Sequence, residues 1–202
     1  MIGLIDYGCG NIQAFANIYR SLNINHKIVD NEKKLNKCDK LILPGVGSFD
    51  WAIKNLRSAK FFNNLQHMVL KKNIPILGVC VGMQIMASTS EEGLEVGLGW
   101  IPGIVQKFSF SSENNLPLPH MGWNDFTPEN NSKLFSKIDK KDFYFLHSYY
   151  YQVKNKEHSI GHTSYNNTFC SAIQKDNIYG IQFHPEKSHK QGENILQNFA
   201  EL

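Results

Sequence analysis

The chain has 202 residues, 42% hydrophobic and 19% charged, which suits one domain over residues 1–202 with a sizeable core. Its net charge of +3 comes from lysine, since arginine stands only at positions 20 and 57, and no basic run marks a nucleic-acid footprint. No apolar run nears the roughly 18 residues of a membrane span and no signal-peptide pattern opens the chain, so a cytoplasmic protein without membrane contact is expected.

Ile2 to Asp6 reads as a buried strand ending in the glycine-rich loop Tyr7-Gly-Cys-Gly-Asn11. That loop lacks the third glycine of a dinucleotide fingerprint and the lysine of a P-loop, so it reads as a tight turn into a helix over Ile12 to Leu22. Lys27 to Asp30 is a second short strand. Lys40 to Gly47 is a third, ending in the turn Pro44-Gly-Val-Gly47, and Ser48 is placed to cap a helix from Phe49. A helix over Phe61 to Lys72 leads to a strand at Ile76. Short apolar strands alternating with helices indicate a parallel α/β sheet, and ligands of such sheets bind beyond the carboxyl ends of the strands.

The strand at Ile76 runs straight into Gly78-Val-Cys-Val-Gly82 and then a helical pattern through Met83, Ile85, Met86 and Ala87. A strand feeding a helix through Gly-x-nucleophile-x-Gly is a nucleophile elbow: the flanking glycines let the backbone fold back, and the side chain between them stands at a helix start. There the helix dipole and free N–H groups favour a thiolate and later an oxyanion. Cys9, Cys38 and Cys170 have no such setting, and none of the four cysteines shows metal-site spacing, so no metal is expected.

Beyond Glu91-Glu-Gly93 the pattern changes. Gly97 to Gly103 is loop-like, Ile104 to Phe110 alternates as a strand, and Ser111 to Asn115 reads as a turn. His120 to Asn124, Phe143 to Tyr151, Ser159 to Tyr165 and Phe169 to Gln174 are further strands, which adds an antiparallel portion to the parallel core. An apolar strand from Ile178 ends at His184-Pro-Glu186, and a helix over Gly192 to Phe199 closes the chain.

A cysteine hydrolase needs a nucleophile, a base, a group that orients the base and an oxyanion hole. Cys80 supplies the first. Of eight histidines, His184 sits at a strand end with a carboxylate, Glu186, two residues on, placed to fix its tautomer. His147 competes weakly as a base, having no carboxylate after it. Backbone N–H groups of Gly45, Val46 and Gly47 and of Val81 are the candidate oxyanion donors. A cysteine esterase of the α/β-hydrolase type would need its acid before the histidine, and an inactive binding module would not need the complete set.

Pro44-Gly-Val-Gly47, Gly78-Val-Cys-Val-Gly-Met-Gln84 and Gln182-Phe-His-Pro-Glu-Lys-Ser188 together resemble the class I (triad-type) glutamine amidotransferases, across essentially the whole chain. Gly97 to Gly103, Pro119-His-Met-Gly-Trp-Asn124 and Leu146-His-Ser-Tyr-Tyr150 are similar to the glutaminase subunits of imidazole glycerol phosphate synthase in particular. The resemblance implies a flavodoxin-like three-layer fold and hydrolysis of L-glutamine to glutamate and ammonia by a Cys80-His184-Glu186 triad, without a cofactor. It implies that Gln84, His147, Ser148 and Tyr149 hold the glutamine. It further implies a heterodimer in which Asn11, Trp123 and Lys187 face a (β/α)₈-barrel cyclase. That cyclase uses the ammonia to form imidazole glycerol phosphate and AICAR in histidine biosynthesis. Two features depart from the commonest pattern: Val81 follows the cysteine in place of leucine, and Ala87-Ser-Thr-Ser90 replaces bulkier residues. Both are similar to paralogues encoded beside surface-polysaccharide genes, which implies, as the alternative, ammonia supply to a sugar-modifying amidotransferase.

Overall fold

A computed structural model describes residues 1–109, 116–129, 132–136, 138 and 142–202. In chain order the first half holds β1 (Ile2–Ile5), α1 (Ile12–Ser21), β2 (His26–Val29), α2 (Glu32–Leu35), β3 (Lys40–Gly45), α3 (Phe49–Ser58), α4 (Phe62–Leu70), β4 (Ile76–Cys80) and α5 (Val81–Gln84). The second half holds β5 (Thr89–Ser90), β6 (Gly103–Lys107), β7 (His120–Pro128), β8 (Asp142–His147), β9 (Tyr149–Val153), β10 (Ser159–Tyr165), β11 (Asn167–Lys175), β12 (Ile178–Ile181) and α6 (His189–Glu201).

Strands β1, β3 and β4 are apolar and almost wholly buried because both faces are covered, as the lack of in–out alternation in the sequence anticipates. The parallel part runs β2-β1-β3-β4-β12. This is the flavodoxin-like order, with its switch point beside β1 and β3. Strand β12 pairs antiparallel with β11, and the sheet continues through β10 and β7 to β8. The last parallel strand is therefore the hinge between the two halves, and it delivers the chain to His184. Helix α1 packs beside α6, and α3 beside α4 and α5. Ser48 caps α3 through its hydroxyl to the Trp51 N–H, and Asn11 caps α1 by accepting from Ala14.

The structure departs from the expected elements where a tertiary contact takes over a local one. Helix α5 ends at Gln84, short of Ala87. The carbonyls of Ile85, Ala87 and Ser88 accept instead from Leu98, Gly99 and Gly97 at 2.8–2.9 Å, so the loop over 97–101 stops the helix. The expected strand over Phe143 to Tyr151 is two strands broken at Ser148, since β8 pairs with β7 while β9 pairs with β6 and β11. A strand that changes partners must bend, and this bend falls at the cleft described below. Strand β6 starts at Gly103 and ends at Lys107; Phe110 and the expected turn at Ser111 to Asn115 lie outside the described residues. No helix among the described residues is long and apolar enough to cross a membrane, and none of their His, Cys, Asp and Glu side chains cluster as a metal site.

Candidate active site

Strands β3, β4 and β12 end side by side, and a cleft of about 300 Å³ opens at their carboxyl ends. Cys80 lies at its floor with φ of 54° and ψ of −113°, a left-handed conformation held on a non-glycine residue. Such strain persists where the surroundings enforce it. Here they do: a Cβ on Gly78 would come within 2.6 Å of the Gly82 carbonyl oxygen, and one on Gly82 would overlap the Leu43 carbonyl oxygen. The chain turns back on itself so tightly at Cys80 that only hydrogen fits at both flanks. The elbow read from the sequence is therefore present, with Val81 as the first residue of α5 and its N–H at the helix start.

His184 comes from the end of β12, and its backbone is fixed from three directions. Its N–H donates to the Tyr144 carbonyl at 2.8 Å, its carbonyl accepts from the Ser188 hydroxyl at 2.6 Å, and Pro185 begins a tight turn over Pro185–Lys187. Nδ1 faces Glu186 Oε1 at 2.8 Å, with both side chains about 95% buried. Since a carboxylate can only accept, Nδ1 carries a proton. Nε2 is buried and has no hydrogen-bond partner among the described residues. Burial opposes charging the ring, but the Cys80 sulfur and the Glu186 carboxylate outweigh it and hold the His184 pKa up to about 10. The ring is thus held as an imidazolium beside the Cys80 sulfur.

Gln182, on the approach to His184, links Cys80 to Gln84: its Nε2 lies 3.6 Å from Cys80 Sγ, and its Oε1 accepts from Gln84 Nε2 at 3.0 Å. Gln84 Nε2 also donates to the Tyr149 carbonyl at 3.0 Å. Gln84, His147, Ser148 and Tyr149 all line the cleft. His147 is fixed by a directed chain. Its Nδ1 donates to the Tyr149 carbonyl at 2.8 Å, its Nε2 therefore accepts from His120 Nδ1 at 3.0 Å, and His120 Nε2 accepts from the Asn124 amide at 3.0 Å. Burial pushes the pKa of His120 down to about 4 and that of His147 to about 3, so both rings are neutral. A neutral ring with both nitrogens occupied is no base.

In the loop after β3, Val46 and Gly47 line the cleft, while Gly45, the last residue of β3, does not: it pairs with Cys80 in the sheet, and a Cβ there would overlap the Gly82 nitrogen. Gly47 has φ of 91°, in the region that favours glycine. Lys187 is exposed at the cleft's edge, its Nζ 5.2 Å over the Tyr144 ring. Trp123 is about half exposed and stacks on His189 with ring centroids 5.2 Å apart. Neither Trp123 nor Asn11 lines the cleft.

Four lining or linking residues have no role assigned from the sequence. Pro119, Leu146 and Gln182 fall inside motifs it quotes, without an assigned role. Glu92 stands in a segment read only as a change of character, yet its carboxylate lines the cleft and accepts from the Phe49 N–H at 2.8 Å. Burial is the main reason its pKa is raised. Glu186 is committed to His184, which leaves Glu92 as the acid in the cleft able to meet a cation.

The sequence matches the family described as glutamine amidotransferase class-I over residues 3–202. It is 48% identical over 204 residues, and the whole of both chains, to the imidazole glycerol phosphate synthase subunit HisH of Leptospira interrogans. It is 44% identical, again over both whole chains, to the protein of that name from Bdellovibrio bacteriovorus. Among solved structures, a glutamine amidotransferase superposes with a TM-score of 0.75 at 16% identity, covering 99% of this chain and 97% of that one. PurLQS from Thermotoga maritima superposes with a TM-score of 0.68 at 16% identity, covering 99% and 97%. The fold and the elbow thus agree with the whole-length likeness, and the chain belongs to the class I glutamine amidotransferases, within the family of imidazole glycerol phosphate synthase HisH subunits.

Proposed function

We propose that this chain is a single-domain glutaminase subunit that hydrolyses L-glutamine in the cytoplasm and hands the ammonia to a (β/α)₈-barrel cyclase in a heterodimer, for histidine biosynthesis. The observation that carries the chemistry is the buried His184–Glu186 pair beside Cys80 on its strained elbow. The pathway rests on the relatives' name, which favours the histidine acceptor over a sugar-modifying amidotransferase.

In this reading the Cys80 thiolate attacks the side-chain amide carbon of glutamine. The oxyanion is met by the Val81 N–H and by an N–H of the Val46–Gly47 turn. The His184 imidazolium gives its proton to the departing nitrogen, and ammonia leaves. His184, now neutral, takes a proton from water as the water attacks the glutamyl thioester, which releases glutamate and restores the imidazolium. Glu186 keeps Nε2 aimed at these atoms throughout. Glu92 meets the α-ammonium group, while Gln84 and the bend at His147-Ser148-Tyr149 hold the rest of the substrate. Lys187, Trp123 and Asn11 face the cyclase.

Free ammonia in bulk water is largely protonated and a poor nucleophile, so hydrolysis is expected to wait for the acceptor. The Val46–Gly47 turn is the suited switch: the Tyr7 hydroxyl ties the Pro44 carbonyl at 2.7 Å, and Gly47 beyond it, at φ of 91°, has φ values of either sign open to it. One correctly aimed donor is worth roughly 10²–10³ in rate. The test is glutamine turnover by the protein alone, with the cyclase barrel, and with barrel plus acceptor ligand. Turnover that rises at each step supports the reading. An isolated subunit as fast as the full complex refutes the gating, and stimulation by a sugar amidotransferase but not by the cyclase refutes the pathway.

A further inference from the structure

Glu92 sits on a segment between β5 and the 97–101 loop that is tied to β6 at Glu91, where the N–H donates to the Val105 carbonyl at 2.8 Å, and from Glu92 onward is fastened to α3. Both oxygens of Asp50 take part: Oδ2 accepts from the Leu94 N–H at 3.1 Å and Oδ1 from the Glu95 N–H at 3.0 Å. Two turns further along α3, Arg57 donates to the Val96 carbonyl at 2.7 Å and meets the Glu95 carboxylate at 3.4 Å. Gly93, between Glu92 and these bonds, presses on Asp50 so closely that a Cβ there would overlap Oδ1. The Phe49 N–H, one residue before Asp50, is the donor that holds Glu92 Oε2. The first turn of α3 therefore grips the segment on both sides of Gly93, and the Glu92 carboxylate has little freedom left. Asp50 itself does not line the cleft.

We infer that Asp50, with Gly93 packed against it, is a positioning residue for substrate binding: it clamps the Glu92–Glu95 segment to α3 and so aims Glu92 at the α-ammonium group of glutamine. The inference rests on the proposed reading of Glu92 and adds the device that sets its aim. Asp50 touches neither the substrate nor the thiol, so its loss weakens binding and leaves the nucleophile as it was. Any substrate that lacks an α-ammonium group is indifferent to the clamp.

The experiment is calorimetric binding of L-glutamine in the Cys80→Ser background, alone and with the cyclase barrel. Loss of hydrogen bonds to a charged group predicts that Asp50→Ala raises Kd about tenfold and Glu92→Gln at least as much. Because Asp50 acts only through Glu92, the protein carrying both changes is expected to bind no more weakly than Glu92→Gln alone. With Cys80 restored, Asp50→Ala is expected to leave the rate of Cys80 alkylation by iodoacetamide, which has no ammonium group, within about twofold of the parent, a difference of well under 1 kcal/mol. An unchanged Kd, effects that add in full, or alkylation that slows in step with binding would each overturn the clamp. Failure of the Cys80→Ser protein itself to bind glutamine would instead overturn the amidotransferase reading. An unchanged Kd for Glu92→Gln would overturn the role of Glu92, and the clamp with it.

Discussion

Replacing Glu186 by glutamine removes the charge behind His184 while keeping an oxygen in reach of Nδ1. In the parent the two groups lie 2.8 Å apart and about 95% buried, so water does not screen them. A hydrogen bond to a charged group is worth about 1.5–3 kcal/mol. At 1.36 kcal/mol per factor of ten, its complete loss predicts a fall in kcat of roughly 10- to 150-fold. The glutamine Oε1 still accepts from Nδ1 and preserves the tautomer, so the lower end of that range is expected. His184→Asn removes the proton donor itself and is expected to cost roughly 10²–10⁴. The His184 pKa, held up to about 10 by Cys80 and Glu186, also falls when either partner is neutralised. Turnover with cyclase and acceptor present gives the rates, and NMR titration of the imidazole gives the pKa. A larger loss in Glu186→Gln than in His184→Asn would refute the assignment of base and orienter, and an unmoved pKa would refute the electrostatic argument.

Gly82→Ala sets a methyl group against the Leu43 carbonyl oxygen and forces the elbow outward, so a loss of about 10² in glutamine turnover is expected from misplacement of the thiol; parent-like turnover would contradict the packing argument. His120 and His147 bear on acid stability. Their pKa values in the fold, about 4 and about 3, lie below the ordinary 6.5, so as pH falls below 6.5 the unfolded chain takes up protons that the folded chain does not. Stability is then lost between pH 6.5 and about 4, by up to about 1.4 kcal/mol per pH unit for each ring. His120→Phe keeps the stacking on Phe145 and Tyr165 but removes one titrating ring, so urea unfolding at about pH 7 and about pH 5 is expected to show a shallower pH dependence than the parent. An equal slope would contradict it.

The parallel half of the fold was legible because its signals are local. A fully buried strand is apolar throughout, and the turns after β3 and β4 need glycine for local backbone reasons, a positive φ at Gly47 and close backbone approach at Gly78 and Gly82. The placing of Cys80, His184 and Glu186 at one cleft was legible for the same reason, since Cys80 and the His184-Pro-Glu186 run each carry their own turn. What stayed hidden depends on partners distant in sequence. Helix α5 stops early because loop 97–101 takes its carbonyls, and the break at Ser148 exists because β8 and β9 serve different neighbours. Gly45 reads as an oxyanion turn beside Gly47, but its missing Cβ makes room for the Gly82 backbone. Glu92 is an ordinary surface acid by pattern, and the donor that holds its carboxylate, the Phe49 N–H of α3, lies 43 residues away in sequence.

The central claim is that Cys80 is the nucleophile of a glutaminase. A diazoketone analogue of L-glutamine, incubated with the protein in the presence of the cyclase barrel and mapped by peptide mass spectrometry, tests it most directly. The account predicts one label per chain on Cys80, prevented by excess glutamine and absent from Cys80→Ser, with Cys9, Cys38 and Cys170 untouched. Stoichiometric label on any other cysteine, or label on Cys80 that glutamine does not prevent, would contradict it.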